Sequence, residues 1–161
     1  MKKNVGIIKV VGSILAGIIA GGALSNYFKN KIISQENRKI DKFKNYYYML
    51  NQWLLLKNEG KSLEKFFVDN GYKTIAIYGM GEMGNRLYEE LQNSSIEVKY
   101  AIDKNAGSTF SELVVCELDD NLTEVDVIVV TAIFAFDEIK EDLEAVADYP
   151  IISLEDVIFD S

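Results

Sequence analysis

The sequence predicts an α/β fold, a small parallel sheet with helices on both faces, on three observations. Four short, near-continuous apolar runs (Thr74–Tyr78, Val98–Ile102, Val125–Val130 and Pro150–Ser153) are separated by segments of helical composition. Strands buried on both faces read this way, and strand–helix alternation implies parallel crossovers. The first run flows directly into Gly79-Met80-Gly81-Glu82-Met83-Gly84, followed by the helix-forming segment Asn85–Asn93. The second run ends in Asp103, about 20 residues beyond those glycines, where a dinucleotide-binding fingerprint carries a carboxylate.

Before the sheet come two other segments. Val5 to Leu24 is apolar apart from Lys9, a serine and several glycines, and is long enough as a helix to span a bilayer. A cleaved signal peptide is the competing reading, with Lys2 and Lys3 as its basic start and Gly21-Gly22-Ala23 as its small-residue site. The length of the run and the basic residues that follow it (Lys29, Lys31, Arg38, Lys39, Lys42, Lys44) favour an uncleaved single-pass anchor with a cytoplasmic C-terminal domain. Gly17-x-x-x-Gly21 is a small-residue pair that lets two membrane helices approach.

From Gln35 to about Asn58 the chain reads as a linking helix. Ile40, Phe43, Tyr47, Leu50 and Leu54 form a stripe at three- and four-residue steps, either packed on the helix's own domain or forming a seam with a second copy. Ser62 is expected to cap a short helix, Leu63–Asp69, that leads into the first strand. The domain boundaries are thus 1–28 for a transmembrane anchor, 29–60 for a basic amphipathic linking helix and 61–161 for the sheet domain. Helices are expected at Asn85–Asn93 and Phe134–Val146, with Leu113–Cys116 as an extra short strand.

Ligands of open parallel sheets bind beyond the carboxyl ends of the strands. That edge gathers the candidate site: Gly79, Met80, Gly81, Glu82, Met83 and Gly84, then Asp103 and Lys104, then Thr131 and Ala132. Gly79 permits the tight turn, Gly81 lets the backbone approach a pyrophosphate, and Gly84 allows close helix–strand packing. Asp103 is read either as the acceptor of a ribose hydroxyl pair or as a turn residue of Asp-Lys-Asn-Ala-Gly. Lys104 is either a phosphate partner or a solvated loop lysine. Glu82 disfavours a close pyrophosphate unless it points away, and Thr131 is either a ligand contact or a helix-start cap.

Charge and composition limit the chemistry. Residues 1–45 carry nine Lys/Arg against two acids, and the remainder eight against 23, giving −8 for the 161 residues. A basic arm on an acidic domain suits a membrane surface and argues against nucleic acid as a partner. The chain has no histidine, which removes His-based acid–base chemistry and the usual His-containing metal sites, so no metal is expected. The single cysteine, Cys116, lies in an apolar run and is read as a small buried hydrophobe rather than a reactive thiol.

Taken together, Lys73–Gly84, Val98–Asn105, Val125–Thr131 and Pro150–Val157 resemble a small Rossmann-like module of bacterial capsule and surface-glycan gene clusters. The group includes the N-terminal domain of sugar O-acyltransferases and domains akin to nucleoside-diphosphate-sugar epimerases. The resemblance covers about residues 61–161 and implies a nucleotide or nucleotide-sugar site at Gly79, Gly81, Gly84 and Asp103. The acyltransferases continue into a catalytic left-handed β-helix for which this sequence holds no counterpart, so the resemblance implies binding and not acyl transfer.

The function expected is therefore a membrane-anchored nucleotide- or nucleotide-sugar-binding protein, accessory to surface-polysaccharide assembly. NAD(P) and a nucleotide sugar both present a pyrophosphate to such a loop, and Asp103 would favour NAD over NADP. Expected partners are the membrane, a second copy through the anchor or linking helix, and a glycan-biosynthesis enzyme. One alternative is an NAD-dependent epimerase or oxidoreductase completed by a partner. Its Tyr-x-x-x-Lys spacing occurs only at Tyr27 and Lys31, beside the anchor, and no catalytic residue is assigned. Another is a structural adapter whose glycine loop is empty.

Overall fold

The computed structural model describes residues 2–108, 112–119 and 122–161, with residues 2–24 and 108 described by their backbone alone. The chain divides into two units, Met1–Tyr46 and Tyr47–Ser161. The first helix, α1, runs without interruption over Lys2–Asn58, so the expected start of a separate linking helix at Gln35 is not a boundary. The expected anchor, Val5 to Leu24, lies outside the residues whose side chains are described. Among the described residues, no helix is long and apolar enough to cross a membrane.

The expected stripe on α1 is exposed. Ile40, Phe43, Tyr47, Leu50 and Leu54 all face solvent, whereas Met49, Trp53 and Leu56 are buried. These three repeat at four- and three-residue steps and therefore share a second face of the same helix. That face, which carries the chain's single tryptophan, is the buried one.

Within the second unit the elements follow in the order α2 (Glu64–Asp69), β1 (Thr74–Tyr78), α3 (Glu82–Leu91), β2 (Glu97–Ile102), β3 (Val115–Cys116), β4 (Val127–Val130), α4 (Phe136–Glu144), β5 (Ile151–Ser153) and α5 (Leu154–Phe159). The five strands form one sheet in the order β3-β2-β1-β4-β5, and every neighbouring pair is parallel. The strand runs β-branched and apolar because both faces are covered: Ile75, Ile77, Val127 and Val129 are fully buried, and so are Ala76, Ile128 and Val130. Ala76, Tyr78, Tyr100, Ile102, Ile128 and Val130 share a core with Ile139 and Leu143 of α4. On the other face, the first turn of α3 approaches Ile77 at Gly84.

Several expected boundaries shift. Helix α3 starts at Glu82, inside the glycine sequence and three residues before the expected Asn85. Ser62 does not cap α2: the cap position is Leu63, which makes no side-chain capping bond. The predicted list of helices omits α5, although Ser153 accepts from the N–H of Glu155 and Asp156 completes a reciprocal capping box.

Two carboxylates join the elements. Asp126 accepts from the backbone N–H groups of Lys73 and Thr74, both at 2.7 Å, and from the Thr74 hydroxyl at 3.0 Å, fixing the entry to β1 against β4. Glu90 of α3 accepts from Trp53 Nε1 at 2.5 Å and from the Leu63 N–H at 2.9 Å. Lys57 Nζ lies 3.0 Å from the same carboxylate, whose side chain is 4% exposed. The end of α1, the start of α2 and the body of α3 thus meet at one buried anion.

Candidate functional site

The chain steps from β1 to β2 to β3 in one direction across the sheet and then crosses back to place β4 and β5 on the other side of β1. The order reverses between β1 and β4. Such reversals leave a crevice at the carboxyl ends of the strands, because the flanking helices diverge there.

Gly79 turns the chain at that point. Its φ of +94° lies in the region that disfavours a side chain, and a Cβ there would sit 2.9 Å from Thr131 Oγ1. Neighbouring strands hold it from both sides: its N–H donates to the Ile102 carbonyl at 2.8 Å, and its carbonyl accepts from Thr131 Oγ1 at 2.6 Å. Thr131, 4% exposed, is therefore neither a helix cap nor an open contact; its hydroxyl is spent on the loop. Gly84 is the tightest point, since a Cβ there would lie 2.1 Å from the Gly79 carbonyl oxygen. Around Gly81, by contrast, nothing lies within 4 Å of a built Cβ. As the cap residue of α3, Gly81 also brings no capping side chain to the first-turn N–H groups.

Asp103 reaches this loop from β2. Its Oδ2 accepts from the Met80 N–H and its Oδ1 from the Asn105 N–H, both at 2.8 Å. The turn reading is what these bonds show: the carboxylate closes its own turn, and it also holds the glycine loop. Two acceptor sites of its roughly four remain. Asn85, expected from the sequence only as a helix start, completes the lock by donating to the carbonyls of Met80 and Gly81 at 3.1 and 3.0 Å.

The expected residues divide between two grooves. Tyr78, Gly79, Asp103, Lys104, Ala132 and Glu138 line one of about 290 Å³ at the carboxyl edge of the sheet. Glu82 and Met83 line a different one of about 470 Å³, with Leu50, Trp53, Leu54 and Arg86. The larger groove is lined by residues of α1 and α3. Glu82 and Asp103 thus line different grooves. Met80, Gly81, Gly84 and Thr131 are not among the residues that line either groove.

Tyr78 stands out among the groove residues. The residue is 4% exposed, and its hydroxyl is buried with no hydrogen-bond partner among the described residues. Burial pushes the phenol up from its ordinary value, and the negative charges of Asp142, Asp103 and Glu138 add to the rise. The sequence signal for it was a hydroxyl-bearing residue ending an otherwise apolar strand. Cys116 is half-buried rather than buried, its Sγ donates to the Ala101 carbonyl, and desolvation raises its thiol. A raised thiol is a poor nucleophile.

No curated protein and no solved structure matches the chain. The family model described as C2185-like, N-terminal, matches residues 71–152. That match runs from the residues just before β1 into β5 and takes in the glycine loop, Asp103, Thr131 and the groove between them. Because it spans half of the chain, the protein belongs to the C2185-like N-terminal family.

Proposed function

We propose that this protein is a membrane-anchored nucleotide- or nucleotide-sugar-binding protein, accessory to surface-polysaccharide biosynthesis, with a small Rossmann-like domain as its binding unit. The observation that carries the reading is the Gly79–Gly84 turn. It lies at the strand-order reversal, lacks side chains at positions 79, 81 and 84, and opens a helix whose first N–H groups have no side-chain cap. Such a turn suits a pyrophosphate, whose charge the helix dipole and free amides complement. The resemblance to nucleotide-sugar modules supports the same ligand class. NAD(P) is the competing ligand, and the Asp103 carboxylate would disfavour the 2′-phosphate of NADP.

Three partners belong to this reading: the membrane, through residues 1–28; a second copy, through the anchor or the linking helix; and a glycan-biosynthesis enzyme. The basic arm supports the first, and the exposed stripe from Ile40 to Leu54 supports the second.

One observation favours a second reading, a structural adapter. Asp103 already accepts from two backbone amides, so the loop is held together by its own chain. Isothermal titration of the full-length chain in detergent with UDP-glucose, UDP and NAD separates the two. Saturable binding of any of these supports the nucleotide reading, and the absence of heat with all three supports the adapter.

A further inference from the structure

The smaller groove has a chemistry of its own beyond the glycine loop. Its walls carry two carboxylates from different elements, Asp103 after β2 and Glu138 on α4, against the single cation Lys104. Asp142, one helical turn beyond Glu138, adds its field at the Tyr78 hydroxyl. A phosphate placed here would meet net negative charge. A neutral ring bearing hydroxyl groups would meet acceptors for its O–H donors, as carboxylates keep free lone pairs after two bonds.

Tyr78 supplies the opposite half of such a contact. Of the tyrosines inside the core, Tyr100 donates to the Thr123 carbonyl at 2.8 Å, whereas the Tyr78 hydroxyl has no partner among the described residues. Leaving a buried hydroxyl unmatched costs stability, so it points to a partner supplied from outside the chain. About 290 Å³ lies at the lower end of the roughly 300–1,000 Å³ of small-molecule sites, room for one ring and not a whole dinucleotide.

We propose that this groove takes a neutral sugar ring of the nucleotide ligand, with Tyr78 donating to a ring hydroxyl and Asp103 and Glu138 accepting from ring hydroxyls. The ligand then lies with its pyrophosphate at the α3 end of the loop and its sugar toward α4. This rests on the nucleotide reading above and adds to it the ligand's direction and the residues that select its sugar. Glu138 and Tyr78 are the selecting pair, because Asp103 is shared with the loop itself.

The test compares paired probes on the full-length protein and on the variants Tyr78→Phe and Glu138→Gln. UDP and UDP-glucose form one pair, and ADP and ADP-ribose the other. The sugar-bearing member of one pair is expected to bind at least tenfold more tightly than its bare diphosphate. Each variant is expected to remove most of that ratio while leaving the diphosphate affinity unchanged. Tyr78→Phe is also expected to raise the melting temperature without ligand, because it deletes an unmatched buried hydroxyl; a lowered value would reveal a structural partner and overturn the proposal. If the diphosphate binds and the sugar adds nothing, or if the variants weaken both members equally, the sugar lies elsewhere and the nucleotide reading stands. If none of the four probes binds the wild type, the nucleotide reading falls and this proposal with it.

Discussion

A single methyl group added at position 84 would lie 2.1 Å from the Gly79 carbonyl oxygen, which is itself held by Thr131. Neither backbone can yield without breaking a strand–loop bond. Gly84→Ala should therefore cost stability at or above the upper end of the roughly 1–3 kcal/mol typical of overpacking, read by urea denaturation. Gly81→Ala meets no atom and should stay within about 1 kcal/mol of the wild type. The two substitutions separate the glycine the packing requires from the one with open space around it. The sequence marked both by the same pattern and had no means of ranking them, because the difference lies in how closely α3 packs on the loop. The same limit hid Thr131: a hydroxyl after a strand reads as a cap, and only the third dimension turns it toward Gly79. Tyr78 was legible as a strand residue and not as a groove residue, since a lack of partners is a property of its surroundings.

Between elements, two buried or shared carboxylates do the joining, and each gives a separate expectation. Glu90→Gln leaves one of the donors Trp53 Nε1 and Leu63 N–H facing an amide N–H₂, and removes the charge opposite Lys57. It should cost about 1–3 kcal/mol. Because Trp53 is the only tryptophan, the same variant should change the intrinsic emission; an unchanged spectrum and unchanged stability would contradict the clasp. Asp126 behaves differently with pH. Hydrogen bonds from the Lys73 and Thr74 amides and the Thr74 hydroxyl hold its carboxyl below the usual carboxylate range. A depressed folded value stabilises the native state above the unfolded pKa, and that contribution is lost as pH falls through the folded one. Asp126→Asn should thus flatten the acid limb of a stability–pH curve while leaving its slope near neutrality unchanged. The strands themselves were legible because β-branched apolar runs leave few alternatives. The buried face of α1 was not, as Met49–Trp53–Leu56 and Ile40–Leu54 are both periodic and only packing chooses between them.

Over the whole molecule, the division of charge is the feature the sheet does not explain. A basic, apolar N-terminal arm and an acidic sheet domain suit a protein held at a negatively charged surface with its domain kept off it. The anchor reading expects the full-length chain to sediment with membranes, to resist release by about 1 M salt, where screening acts within roughly 3 Å, and to be released by detergent. Release by salt alone would replace the spanning helix with electrostatic adhesion. The overall plan, a parallel sheet with Asp103 and the glycines at one edge, was readable because strand–helix alternation and one motif both specify it. The groove's acidic character was not, because Glu138 and Asp142 lie far from the motif in sequence.

The Gly79–Gly84 loop is proposed to bind a pyrophosphate. The most direct test is the thermal shift of the protein with NAD, NADP, UDP-glucose and CoA, set beside Gly81→Asp, which brings a carboxylate to a position where an added Cβ meets no described atom within 4 Å. Ligand in excess over its dissociation constant raises the melting temperature by mass action. The account predicts a rise with one ligand class that Gly81→Asp abolishes while its own unliganded melting temperature stays near that of the wild type. No rise with any of the four, or a rise that Gly81→Asp leaves intact, would contradict it.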